Sequence, residues 1–85
     1  MPKHEISERM QAQLDNNFTY HSPLPDQPER YQAIRAKAKE LAQLILEATP
    51  ASREQSVAIT ELETCVMWAN AAIARNEGAP PDPAG

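Results

Sequence analysis

The sequence predicts an all-α protein: a short N-terminal helix, a proline-rich extended linker, then a long antiparallel helical hairpin, assembled as a homo-oligomer. Three observations lead there. Apolar residues recur at three- and four-residue steps through two stretches of roughly twenty residues, the period of one helix face. Thr49-Pro50 breaks the first stretch and Ser52 opens the second, a join so short that the helices must run antiparallel. Ahead of them Pro23, Pro25 and Pro28 fall within six residues and hold their neighbours in extended shapes.

The first element is a helix from Ser7 to Asn17, with Ile6, Met10, Leu14 and Phe18 spaced for one face and Asn16-Asn17 as its frayed end. The linker "YHSPLPDQP" cannot be helical, yet its prolines make it an ordered segment. The second helix begins near Pro28, which suits a first turn; Asp26 is the expected cap, and Glu29 favours the positive end of the helix dipole. Its stripe is Tyr31, Ile34, Ala38, Leu41, Ile45 and Ala48. Ser52 with Gln55 reads as a capping box for the third helix. That helix carries Ile59, Leu62, Val66, Ala69 and Ile73, widened by Ala58, Cys65 and Ala72, and Gly78 is its natural stop. The organisation is one hairpin domain, residues 1–77, and a flexible proline-rich tail, residues 78–85.

At 85 residues there is room for one small domain. An isolated fold of this size hides only about 60% of its unfolded surface. Small domains compensate with disulfides, metals or partners. A single cysteine forms no internal disulfide, and two histidines with one cysteine make a poor zinc set, so oligomerisation is the expected route. No apolar run approaches the ~20 residues of a membrane span, and the first ten residues lack the apolar centre of a signal peptide. The expectation is a soluble cytoplasmic protein without membrane contact. A net charge of -4 argues against binding long nucleic acids, though a local basic pocket for a small anion remains open. The two glycines, both near the end, leave no phosphate-binding glycine loop, and no cofactor is implied.

Arg30, Arg35, Lys37 and Lys39 are half of all the Lys and Arg, and no acid interrupts them. Arg35 and Lys39 share a helix face, while Lys37 sits about 200° round from Arg35. They form either a solvated face pairing with Glu40 or an anion site, in which arginine offers paired hydrogen bonds and lysine a point charge. Phe18 and Tyr20 stand two apart in an extended segment, so one ring anchors the linker while the other presents a flat plate. Base-on-aromatic stacking is worth about 1–3 kcal/mol per base; the competing role for Tyr20 is packing over a helix end. His4 and His21 lack the companions of a metal site or triad, and His21 suits a hydrogen bond in the linker. Tyr31 and Cys65 read as apolar filling, and Met67 and Trp68 as an intersubunit seam. Glu61 and Glu63 diverge on a helix, so no acid, base and nucleophile gather. Arg75 either complements the dipole at its helix end or adds an anion contact.

The segments "FTYHSPLPDQPERYQAIRAKAKELAQLI" and "SREQSVAITELETCVMWANAAIARN" together resemble the phage anti-CBASS cyclic-oligonucleotide sponge family across residues 18 to 76. The shared features are the F-x-Y-H element, the Q-P-E-R-Y helix start, the I-R-x-K-A-K-E-L-A segment and the V-M-W-A-N-A-A-I-A-R-N helix. The resemblance implies a homohexamer that binds cyclic dinucleotides and cyclic trinucleotides in pockets between subunits. It sequesters these immune signals without cleaving them, so no enzyme activity is expected. It also implies Tyr20 as the stacking aromatic, Arg35, Lys37 and Lys39 as phosphate contacts with Arg35 first, and Arg75 with Asn76 for a second pocket; Phe18 and His21 flank Tyr20 in the same element. Two other functions compete. One is a helical protein-interaction module that inhibits a host protein through Trp68; the other is a hydrolase of cyclic nucleotides.

Overall fold

The structure, a computed structural model, describes residues 3–77. It is all-α among those residues, in the order α1 (Glu8–Asn17), α2 (Gln27–Ala48) and α3 (Arg53–Asn76). The expected tail and the Gly78 stop lie outside the described residues.

Each helix starts where local chemistry allows, though not always by the expected contact. Ser7 caps α1, its side chain accepting from the Met10 amide at 3.1 Å. Ser52 caps α3 through the Gln55 amide at 3.1 Å. The capping box is only half made, because the Gln55 side chain turns away and donates to the Thr49 carbonyl at 2.9 Å. Asp26 occupies the cap position of α2 without a side-chain capping bond; it pairs instead with Arg30 at 3.1 Å. The chain enters α2 through a tight turn in which the Gln27 amide donates to the Leu24 carbonyl at 3.0 Å. Pro25 supplies the fixed φ at the second position, and Asp26, at φ -93° and ψ -7°, fits the third position of a type I turn. At the other end, Thr49 is extended (φ -128°, ψ 149°), as a residue before proline must be, and α2 stops there.

α2 and α3 pack side by side along a seam of half-buried residues: Tyr31, Ile34, Ala38, Ala42 and Ile45 against Ile59, Leu62, Val66, Ala69 and Ile73. The expected stripe is shifted slightly, since Ala42 enters the seam and Leu41 is 46% exposed. Cys65 is exposed too, at the edge of the stripe and not within it.

The hairpin is a single layer. Its shortest principal extent is 14 Å, little more than the about 10–12 Å diameter of one helix with its side chains. The radius of gyration is 17.9 Å, where a compact domain of this length has about 12 Å. No hydrophobic side chain among the described residues is fully buried. α1 does not supply the missing cover: Ile6, Met10 and Phe18, three members of its apolar series, are 59%, 48% and 85% exposed. α3 has a window of mean hydropathy 1.2, so by length and composition it reaches the margin of a membrane span. This differs from the expectation drawn from apolar runs because alanines raise the mean; Glu61 and Glu63 interrupt the run.

Candidate functional site

The linker, residues 18–26, folds back as an arm over the open end of the hairpin. Asn16 makes the first attachment. Its Nδ2 donates to the Arg75 carbonyl at 3.0 Å, tying the end of α1 to the last turn of α3. Its own carbonyl lies 2.8 Å from His21 Nε2, so His21 donates from that nitrogen. This is the linker hydrogen bond the sequence suggested for His21. Thr19 closes the turn after α1 by donating to the Asp15 carbonyl.

The second attachment centres on Gln27, the one buried residue among those described, at 2% exposure. Its Oε1 accepts from the Leu24 amide at 3.0 Å, and its Nε2 donates to Glu77 at 3.4 Å. Arg30 grips the same carboxylate with two nitrogens, Nη1 to Oε2 at 2.7 Å and Nη2 to Oε1. The hydrogen bond from Arg30 holds the Glu77 carboxyl below the usual carboxylate range, and partial desolvation opposes it. The reciprocal bond, with Asp26 adding attraction, raises Arg30 further above its already high value.

Between these attachments the arm walls a cleft of about 410 Å³. Tyr20 and His21 come from the arm, Tyr31 and Arg35 from α2, and Asn70 and Arg75 from α3. The cleft therefore gathers two tyrosines and two arginines, with no carboxylate in its lining among the described residues. Asn70 Oδ1 is shielded from solvent and has no hydrogen-bond donor. A buried amide oxygen left unpaired costs about 1–3 kcal/mol. Arg75 is steadied by Trp68, with its guanidinium carbon 5.9 Å from the ring centroid.

The expected site residues divide. Tyr20, His21, Arg35 and Arg75 converge on this cleft. Lys39 faces a neighbouring groove of about 380 Å³ that it shares with Arg35, Glu63 and Met67. Lys37 lines a third groove, of about 440 Å³, with Leu41 and Cys65, and pairs with Glu40 at 3.4 Å. Asn76 turns back on its own helix, donating to the Ala72 carbonyl at 3.0 Å. Phe18 and Tyr20 are 85% and 82% exposed, so neither ring anchors the arm; the polar ties do. Sequence reasoning missed Asn70, Gln27 and Glu77. For Asn70 a signal existed, a single polar residue inside the apolar run "VMWANAAIA", four residues after Val66 on the seam.

The chain is thus a one-layer helical hairpin with an aromatic and cationic cleft at its open end. Residues 10–74 match the family described as Acb2/Tad1, hairpin domain, 65 of the 85 residues, and the chain belongs to that family. It is the anti-CBASS/anti-Thoeris sponge family, whose members bind cyclic nucleotides and which is not a known enzyme family. No curated protein and no solved structure matches the chain.

Proposed function

We propose that this protein is a phage-encoded sponge that acts in the cytoplasm of the infected bacterium. It captures cyclic dinucleotide and cyclic trinucleotide immune signals without cleaving them, and so keeps CBASS effectors inactive. The observation that carries the reading is the convergence of Tyr20, Tyr31, Arg35 and Arg75 on one cleft, in a member of a sponge family. Each feature has a counterpart in a cyclic nucleotide. A phenol ring offers a base a stacking surface. Arginine matches a phosphodiester with paired, charge-assisted hydrogen bonds. No carboxylate among the described lining residues repels the phosphates.

The assembly is a homohexamer in this reading, and the pockets lie between subunits. One chain's cleft is open and holds only part of a cyclic dinucleotide, so neighbouring chains close the rest. A 9.4 kDa chain exposing 7305 Å² supports this, because a compact monomer of that mass exposes about 5,000 Å². The exposed Met67 and Trp68, 67% and 63% accessible, favour a second reading in which the hairpin docks on a host protein.

One experiment separates these readings and the hydrolase. The protein is mixed with a panel of cyclic di- and trinucleotides, freed of unbound ligand and heat-denatured, and the released molecules are identified by mass spectrometry. Intact cyclic nucleotide in the released fraction is expected. Linear product means an enzyme, and an empty fraction favours the docking protein.

A further inference from the structure

The cleft's aromatic wall sits on a segment that has no secondary structure, and the chain spends its most buried side chain on holding it. Gln27 is not part of the cleft lining, yet it is almost fully inaccessible. Both ends of its amide are used, one on the arm at Leu24 and one on Glu77 beyond the end of α3. Arg30 completes the clasp by fixing the Glu77 carboxylate with two bonds, and Asp26 fixes Arg30 in turn. The arm's other end is fixed by His21 through Asn16 to the Arg75 carbonyl. Both ties therefore land on the end of α3, one at Arg75 and one at Glu77, with Tyr20 and His21 carried just ahead of the prolines. Without the clasp, the arm is held at one end only, by the His21–Asn16 tie and the Thr19 turn, and the prolines that restrict the rest lie after Tyr20 in the chain.

We infer that Gln27, with the Arg30–Glu77 pair, is a positioning device. It holds the arm so that the Tyr20 wall of the cleft stands in place before ligand arrives. The inference rests on the cyclic-nucleotide reading above and adds to it the residues that preorganise the site. The physical reason is general: a binding segment ordered in advance spares the complex the entropy of ordering it.

The test is a double-mutant cycle on the full-length chain, titrated with cyclic di-AMP and, if that is not bound, with each other cyclic nucleotide of the release panel. Gln27→Leu keeps the side-chain bulk and removes both amide bonds. It should weaken binding about tenfold, the size expected for ordering a short segment at the moment of binding. In a Tyr20→Ala background the same change should do almost nothing, because the wall it positions is gone. In an Arg35→Lys background its full effect should persist, because Arg35 is held by α2 and not by the arm. Glu77→Gln repeats the cycle without altering the buried position, in case Gln27→Leu impairs folding. Hydrogen exchange at the Thr19 and Leu24 amides, the hydrogen-bonded ones of the arm, should quicken in either variant while mid-helix amides of α2 and α3 keep their protection. Equal losses in the wild-type and Tyr20→Ala backgrounds, or no loss at all, overturn the positioning role while leaving the binding site standing. A wild-type chain that binds none of the panel overturns both.

Discussion

The two ends of this molecule's energetics lie in different places. Around the arm, a few polar side chains meet with defined partners: Asn16, His21, Gln27, Arg30 and Glu77. Along the body of the hairpin, contact is almost wholly apolar, and no apolar side chain among the described residues is fully buried. Leu44, Leu46, Val57, Met67 and Trp68 stand between 41% and 67% exposed. Hydrogen bonds are directional and fix where a segment sits; the hydrophobic effect is non-directional and rewards any cover. One chain thus suffices to shape the open end, but it leaves its body unfinished. Fully burying one large apolar side chain is worth about 1.5–3 kcal/mol, so the bare grooves on the two sides of the seam are the largest untapped source of stability in the fold.

Leu62 gives the sharpest way to break that contrast, because it lines the grooves on both sides of the seam. Leu62 also packs in its own hairpin's seam, so Leu62→Ala costs stability in any case; if copies of the chain cover those grooves, the loss should reach about 2–5 kcal/mol, the range for a buried leucine, and the oligomer should weaken with it. The chain should then dissociate at lower denaturant, read by sedimentation and circular dichroism together. A smaller loss with an unchanged sedimentation coefficient would mean that the body stays bare in solution.

Tyr20→Ala probes the other region. The ring is 82% exposed, so thermal unfolding should barely move, while cyclic dinucleotide affinity should fall by about 1–3 kcal/mol in calorimetry if the ring stacks on a base. Unchanged affinity would remove Tyr20 from the site.

The clasp should also respond to acid. The folded Glu77 carboxyl titrates below its ordinary value of 4.5 because Arg30 donates to it. A carboxylate with a depressed folded pKa stabilises the fold fully above the ordinary value and loses that contribution as pH falls through the depressed one. Exchange at the arm amides should therefore be flat from neutral pH down to 4.5 and rise below it, after correction for intrinsic rates. The Glu77→Gln variant should lack that rise. A wild-type profile matching the variant's would show that the pair does not hold the arm.

The smallest effect is expected at Ser52. Its side chain accepts from the Gln55 amide, and Ser52→Ala should cost about 1 kcal/mol of helix stability without touching ligand affinity.

The helices were legible because periodicity and breakers act locally. The three- and four-residue spacing marked both long helices, and Ser7, Thr49-Pro50 and Ser52 marked ends that the structure places within a residue or two. What failed was partner choice. Asp26 and Gln55 have the right chemistry for caps, yet each found a competing acceptor or cation nearby, Arg30 for one and Thr49 for the other. For the site, Tyr20 and Arg35 were visible as an aromatic on an extended arm and a cation on the following helix. Arg75 was visible only as a helix-end cation, since its meeting with them depends on the hairpin's return. Gln27 and Glu77 carry no local signal at all: they are 50 residues apart, and nothing in a turn glutamine announces that tertiary folding will bury it. Lys37 shows the converse, a residue inside the basic run whose helical angle carries it to the opposite groove.

The central claim is that copies of this hairpin together enclose a ring-shaped messenger. Native mass spectrometry of the chain with cyclic di- and trinucleotides measures this most directly, counting subunits and bound ligands in one spectrum. The account predicts a single closed oligomer of several chains whose mass grows by whole, intact cyclic nucleotides. A spectrum dominated by bare single chains at micromolar protein and excess ligand would contradict it.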